Sequence, residues 1–131
     1  MNDNNPPLTP DKFSCFIGGY FGPSYSLEID ENGCLIYQIM GKEYKLKKTK
    51  KISVDTNRWN DFWAVCDQIN IWGWNERYED PETLDGYSWK VEIAYSENSV
   101  TSSGSNEKPV SFDQFLKSVK KLIGELEFSG H

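Results

Sequence analysis

Hydrophobic and polar residues alternate with a period of two in the first third of the chain. Phe13, Cys15 and Ile17 alternate with small or polar neighbours, and Tyr25, Leu27 and Ile29 alternate with Ser26, Glu28 and Asp30. Such a period buries one face of a strand and wets the other. Between these stretches, Gly18-Gly19 and Gly22-Pro23 predict a turn. Asn32-Gly33 is a strong two-residue hairpin signal, because both residues tolerate positive φ, and it carries the chain back over 34–40. A second reversal at Gly41-Lys42 leads to a strand with Tyr44 and Leu46 on one face and Lys45 and Lys47 on the other. Residues 13–48 therefore predict an antiparallel meander with one apolar face, ended by the lysines of 47–51.

The period then lengthens. Trp59, Phe62, Trp63, Cys66 and Ile69 fall at helical spacing behind Asp55, an N-cap residue, with Val54 placed to staple onto Trp59. Residues 71–74 are short and apolar, a strand or an extended approach to an acidic loop over 76–85 that Asp85-Gly86 closes. Trp89, Val91, Ile93 and Tyr95 alternate with Lys90, Glu92 and Ala94, and a turn at Glu97-Asn98 predicts a hairpin with a partner strand around Val100. Residues 102–106 read as a polar loop. A last helix opens at Ser111, with Gln114 completing a capping box and Val110 as staple to Phe115, and its apolar stripe runs from Phe112 to Leu126. The order strands, helix, strands, helix predicts an α+β fold, an antiparallel sheet of about five to six strands with both helices on one face. Residues 1–12, rich in Asn and Pro, are expected to be a loose disordered tail, and 13–131 a single domain.

Composition narrows the chemistry. The 131 residues allow one core. The single histidine is His131, so mechanisms that need a positioned imidazole are not expected. Cys15, Cys34 and Cys66 are odd in number, with no CxxC spacing, and predict neither a disulfide framework nor a zinc site. A net charge of −6 is the wrong sign for general nucleic-acid binding. No signal-peptide pattern or bilayer-length apolar run is seen, so the expected compartment is the cytoplasm, with no membrane contact.

Two charged clusters and one aromatic cluster stand out. Lys42, Lys45, Lys47, Lys48, Lys50 and Lys51 put six lysines in ten residues, which an edge strand uses against aggregation. Glu76, Glu79, Asp80, Glu82 and Asp85 put five carboxylates in ten residues, without the spacing of a calcium loop. Trp59, Trp63 and Trp89 lie on apolar faces and are expected in the core, whereas Trp72, Trp74 and Tyr78 stand where periodicity ends and the acidic segment begins. The candidate binding surface is therefore Trp72, Trp74, Tyr78, Glu79, Asp80, Glu82 and Asp85, with no catalytic residue, metal or cofactor assigned.

Gly19, Gly22 and Tyr25, Trp59 and Trp63, Trp72 and Trp74, Tyr78, Asp85-Gly86 with Trp89, Ser103-Gly104-Ser105-Asn106, Pro109, and Phe112 with Phe115 together form a pattern. It resembles a family of small uncharacterised bacterial proteins known mainly from structural genomics, a cyanobacterial source being one candidate. The resemblance spans most of residues 13–126 and implies a free-standing cytosolic domain of unknown function, with no catalytic residues to carry over. The expected function is a non-enzymatic protein-interaction module, one version being an immunity-type inhibitor of a basic protein partner. The alternative is a small-molecule binder or weak enzyme with an aromatic-lined cleft between sheet and helices.

Overall fold

A computed structural model describes residues 8–80 and 86–130. Strands β1 (Lys12–Gly18), β2 (Ser24–Ile29), β3 (Leu35–Met40) and β4 (Leu46–Ile52) precede helix α1 (Thr56–Gln68). Strands β5 (Arg77–Glu79), β6 (Ser88–Tyr95) and β7 (Asn98–Ser105) follow, and helix α2 (Phe112–Leu122) comes last. All seven strands join one sheet in the order β4-β3-β2-β1-β6-β7-β5. The α+β class holds, but the sheet has seven strands and is mixed, because β5 pairs with β7 in parallel while the other neighbours are antiparallel. The extra strand lies inside the acidic segment, and three residues are too few for a period to show.

Register explains where the core sits. Cys15 lies opposite Leu27 on one side and Val91 on the other, and Ile17 opposite Tyr25 and Trp89. These rows make one apolar face, and both helices cover it. Phe13 meets Trp59 and Phe62 of α1 at ring separations of 5.8 and 5.7 Å, and Trp89 meets Phe112 of α2 at 4.7 Å. Trp59, Trp63 and Trp89 are buried, as their positions on apolar faces predict. Asp55 caps α1, its carboxylate accepting from the Arg58 N–H at 2.8 Å, which satisfies an amide the first turn leaves open.

Several boundaries differ from the sequence expectation, each for a local reason. The lysines of 47–51 do not end the meander but form β4 itself, since an edge strand needs no apolar face. Residues 102–105 continue β7, because Gly104 lies against the Trp89 indole, where an added Cβ would stand 2.3 Å from Nε1. Helix α2 stops at Leu122: Gly124 adopts φ +78° and the Glu125 N–H reaches back to the Lys120 carbonyl at 2.7 Å, a glycine-terminated helix end. Val110 is fully exposed and staples nothing, and Ser111 makes no capping bond, its hydroxyl accepting from Trp74 Nε1 instead.

The expected tail through residue 12 joins the fold from Leu8 onward. Pro10 is buried, and the Leu8 carbonyl accepts from Trp63 Nε1 at 2.7 Å. That bond lets the indole stack on Tyr95, 3.9 Å between centroids, with its polar edge satisfied.

Candidate interaction surface

The face of the sheet turned away from the helices carries Ser14, Ser26, Gln38, Lys90 and Ser103, the alternates of the core residues. Charge on it is locally balanced. Glu92 lies 3.2 Å from Lys12 and 3.6 Å from Lys90, and the Lys12 hydrogen bond with both ammonium charges holds its carboxyl below the usual range. Phe16 is the aromatic exception on this face, half-buried opposite Ser26 and Lys90.

At one end of the face, two turns present aromatic side chains together. The turn after β1 carries Tyr20 and Phe21, and a 3-10 turn over Lys42–Tyr44 joins β3 to β4. The turns are tied: the Glu43 N–H donates to the Tyr20 carbonyl at 2.7 Å, and a Cβ on Gly22, which has φ +66°, would stand 2.7 Å from the Gly41 carbonyl carbon. Ser24 closes the base, its hydroxyl accepting from the Gly19 N–H and donating to the Gly19 carbonyl. Tyr20 packs edge-on against Phe21 at 5.0 Å and Tyr44 at 6.5 Å, Tyr44 lies 6.2 Å from Phe16, and Lys42 Nζ stands 5.9 Å over the Phe21 ring.

Exposure marks this end. Among the described residues the exposed large apolar side chains are Tyr20 (50%), Phe21 (70%), Tyr44 (46%), Leu46 (58%) and Val110, and the first four gather here. Beside them a recess of about 210 Å³ is lined by Tyr20, Tyr44, Tyr87, Ser88, Ser105 and Asn106. It shares Ser88 and Ser105 with a depression of about 420 Å³ over Phe16, Arg77, Glu79 and Lys90. Tyr87 is fixed by Asn106, whose side-chain oxygen accepts from the Tyr87 N–H at 3.2 Å while its own N–H donates to the Tyr87 carbonyl at 3.0 Å. Burial raises the Tyr87 phenol above its usual pKa, so it presents a neutral hydroxyl.

The site residues expected from sequence are divided by the strand they share. Trp72 stacks 6.3 Å from Trp63 and donates to Asp67 Oδ1 at 2.9 Å. Trp74 packs on Trp89, Phe112 and Phe115 at 5.9, 6.0 and 5.4 Å. Tyr78 lies 5.8 Å from Trp89, and its hydroxyl accepts from the Asn75 N–H. These three rings line the core side. Glu79 sits on the opposite face, 3.5 Å from Arg77, and the Asp80 N–H donates to the Ser105 carbonyl. Glu82 and Asp85 lie outside the described residues. The structure thus seats the aromatics against the core and only Glu79 beside the open-face depression; of the exposed rings, Tyr20 and Phe21 lie in the predicted turn, whereas Tyr44, expected on a strand, sits in the 3-10 turn before β4. Their signal was available: large aromatics at Tyr20, Phe21 and Tyr44 occupy turn positions that ordinarily take small polar residues.

No cluster of three or more metal-ligating side chains occurs among the described residues, and no described helix is long and apolar enough to cross a membrane. Cys15 and Cys66 are buried free thiols, and burial pushes both well above the ordinary thiol pKa. No protein-family model matches the chain, and no curated protein matches it.

Proposed function

We propose that the protein is a cytosolic, non-enzymatic binding module that contacts another protein through the aromatic end of its open sheet face. The observation that carries this reading is the gathering of Tyr20, Phe21 and Tyr44, exposed together on two turns that are bonded to each other, with exposed Leu46 following at the start of β4. Exposed rings on a rigid support are what a protein interface uses as anchors, because they bury large area with little loss of side-chain freedom. The three free thiols support a reducing compartment. The version with a basic partner seated on the acidic segment rests on the run of carboxylates in the sequence, Glu76, Glu79, Asp80, Glu82 and Asp85, of which Glu79 lines the depression.

The test is site-directed photo-crosslinking in lysate of the source cells. A photoreactive phenylalanine at Tyr20 or Tyr44 is expected to capture one discrete protein, absent when the probe replaces Lys117 on the outer side of α2. Equal capture from all three positions, or none from the turns, overturns the reading. A small-molecule ligand is the second reading, favoured by the recess over Ser88, Ser105 and Asn106, whose hydroxyls and amide suit a polar ligand against aromatic walls. A thermal-shift screen with sugars, nucleotides and amino acids addresses it; a ligand at 100 times its Kd adds about 2.7 kcal/mol to stability.

A further inference from the structure

Strand β4 is one edge of the sheet, and every residue in it except Ile52 is exposed. An antiparallel edge strand bonds its neighbour through alternate residues, so the remaining N–H and C=O groups of β4 face outward without a strand partner. Four of its residues are Lys47, Lys48, Lys50 and Lys51. Lys48 and Lys50 stand opposite Ile39 and Tyr37 on the helix side, and Lys51 opposite Ile36 on the open side, so cations flank the free backbone on both sides. Lys51 reaches Asp30 at 3.7 Å, but Lys47, Lys48 and Lys50 form no ion pair with a described residue. The other edge, β5, is three residues long and carries Arg77 beside Glu79, a balanced pair.

We propose that β4 is a docking edge for an extended acidic polypeptide segment, which adds to the sheet as a further strand with its carboxylates among the lysines. Two features select this occupant. The outward edge offers donors and acceptors in alternation, which another polypeptide backbone matches, whereas a phosphate backbone supplies acceptors alone. The lysines select for negative charge, and β4 contains no aromatic residue on which a base could stack. A second copy of β4 is repelled, since pairing it with itself sets lysine against lysine. The repulsion that guards the edge against neutral or basic strands is the same term that admits an acidic one. Leu46, the first residue of β4, borders the aromatic end, but the lysines from Lys47 to Lys51 lie beyond it along the strand, so either proposal stands if the other falls.

The experiment titrates the full chain against a fluorescein-labelled, end-capped peptide of alternating Glu and Thr, read by anisotropy, with amide hydrogen exchange measured in parallel. Binding is expected at low salt, with slowed exchange at alternate amides of β4. Affinity should fall about tenfold in a Lys47→Glu/Lys48→Glu/Lys50→Glu variant. A similar loss is expected when alternate residues of the peptide are proline, which cannot donate. Lys48→Gln/Lys50→Gln, which adds no charge, serves if the triple variant fails to fold, and Lys117→Ala on the exposed side of α2 should leave peptide affinity unchanged. No binding at millimolar peptide overturns the proposal, as does binding that slows no β4 amide. Tighter binding of a single-stranded oligonucleotide or of anionic lipid vesicles also overturns it, in favour of that partner.

Discussion

Replacing Trp74 with alanine separates a core role from a binding role. The ring is half-buried against Trp89, Phe112 and Phe115, and its Nε1 donates to Ser111 Oγ at 3.2 Å. Truncation of a fully buried Trp costs about 3–5 kcal/mol, and partial exposure brings the packing share here to about 2 kcal/mol. Loss of the hydrogen bond adds about 1 kcal/mol. The total, about 3 kcal/mol, acts on an unfolding entropy of about 0.28 kcal/mol/K for a chain of this length, which lowers Tm by about 10 °C. Differential scanning calorimetry measures this directly, and Trp74→Phe, which keeps a ring but not the donor, should lose about half as much. A Tm within 2 °C of wild type, by the same conversion under about 0.6 kcal/mol, would show that the ring is not part of the packed layer.

Other substitutions probe the remaining contacts. Tyr37 donates to the Glu127 carbonyl at 2.6 Å, and burial, with Tyr25 and Glu127 nearby, raises its phenol to about 12. The stability this gives is complete below the free phenol's pKa near 10 and is lost as pH rises toward 12. Tyr37→Phe should therefore cost about 1 kcal/mol in neutral urea titrations and flatten the alkaline fall; an unchanged slope between pH 10 and 12 refutes the assignment. Asp30 accepts from the N–H groups of Cys34 and Asn32, which together with Lys51 hold its carboxyl below the usual range. Its contribution is present above the free carboxyl pKa and is lost as pH falls through the lowered value, so Asp30→Asn should lower Tm at neutral pH and the deficit should shrink progressively as the solution is acidified, measured by circular dichroism. Tyr44 has φ +58°. In Tyr44→Gly, relief of about 1 kcal/mol of left-handed strain roughly balances the added freedom of the unfolded chain, so Tm should stay within a few degrees while crosslinking at the aromatic end is lost.

The fold was legible wherever a side chain's face was set by period. The rows Phe13-Cys15-Ile17, Tyr25-Leu27-Ile29 and Trp89-Val91-Ile93 line the core as their alternation predicts, and Asp55 with Trp59, Phe62, Trp63 and Cys66 makes the expected capped helix. What escaped was decided by tertiary partners. β5 exists because β7 offers a parallel edge, with Tyr78 opposite Gly104. Ser111 loses its capping role because the Trp74 indole claims its hydroxyl. Trp74 and Tyr78 pack inward on the Trp89 ring, which itself fits only because Gly104 has no side chain, a relation between residues far apart in sequence. The aromatic end depends on a contact between two turns, Glu43 to Tyr20, that no local pattern encodes.

The two faces of the sheet meet water in different ways, and the contrast locates the surface that packing leaves unexplained. One face is covered by helices. Most of the other uses short hydroxyl side chains and the Lys12-Glu92-Lys90 triplet, an arrangement that needs no partner. At the aromatic end that arrangement stops: Tyr20, Phe21, Tyr44 and Leu46 stand in water where serine or asparagine would serve the turns equally well. The backbone there is also strained, with Glu43 and Tyr44 in succession at φ +60° and +58°, where glycine would adopt the same path without steric strain. That conformation costs about 1 kcal/mol at each residue, and the Tyr44 ring it carries stays exposed and so recovers little of that cost by burial. It is consistent with a surface whose identity is set by what binds to it.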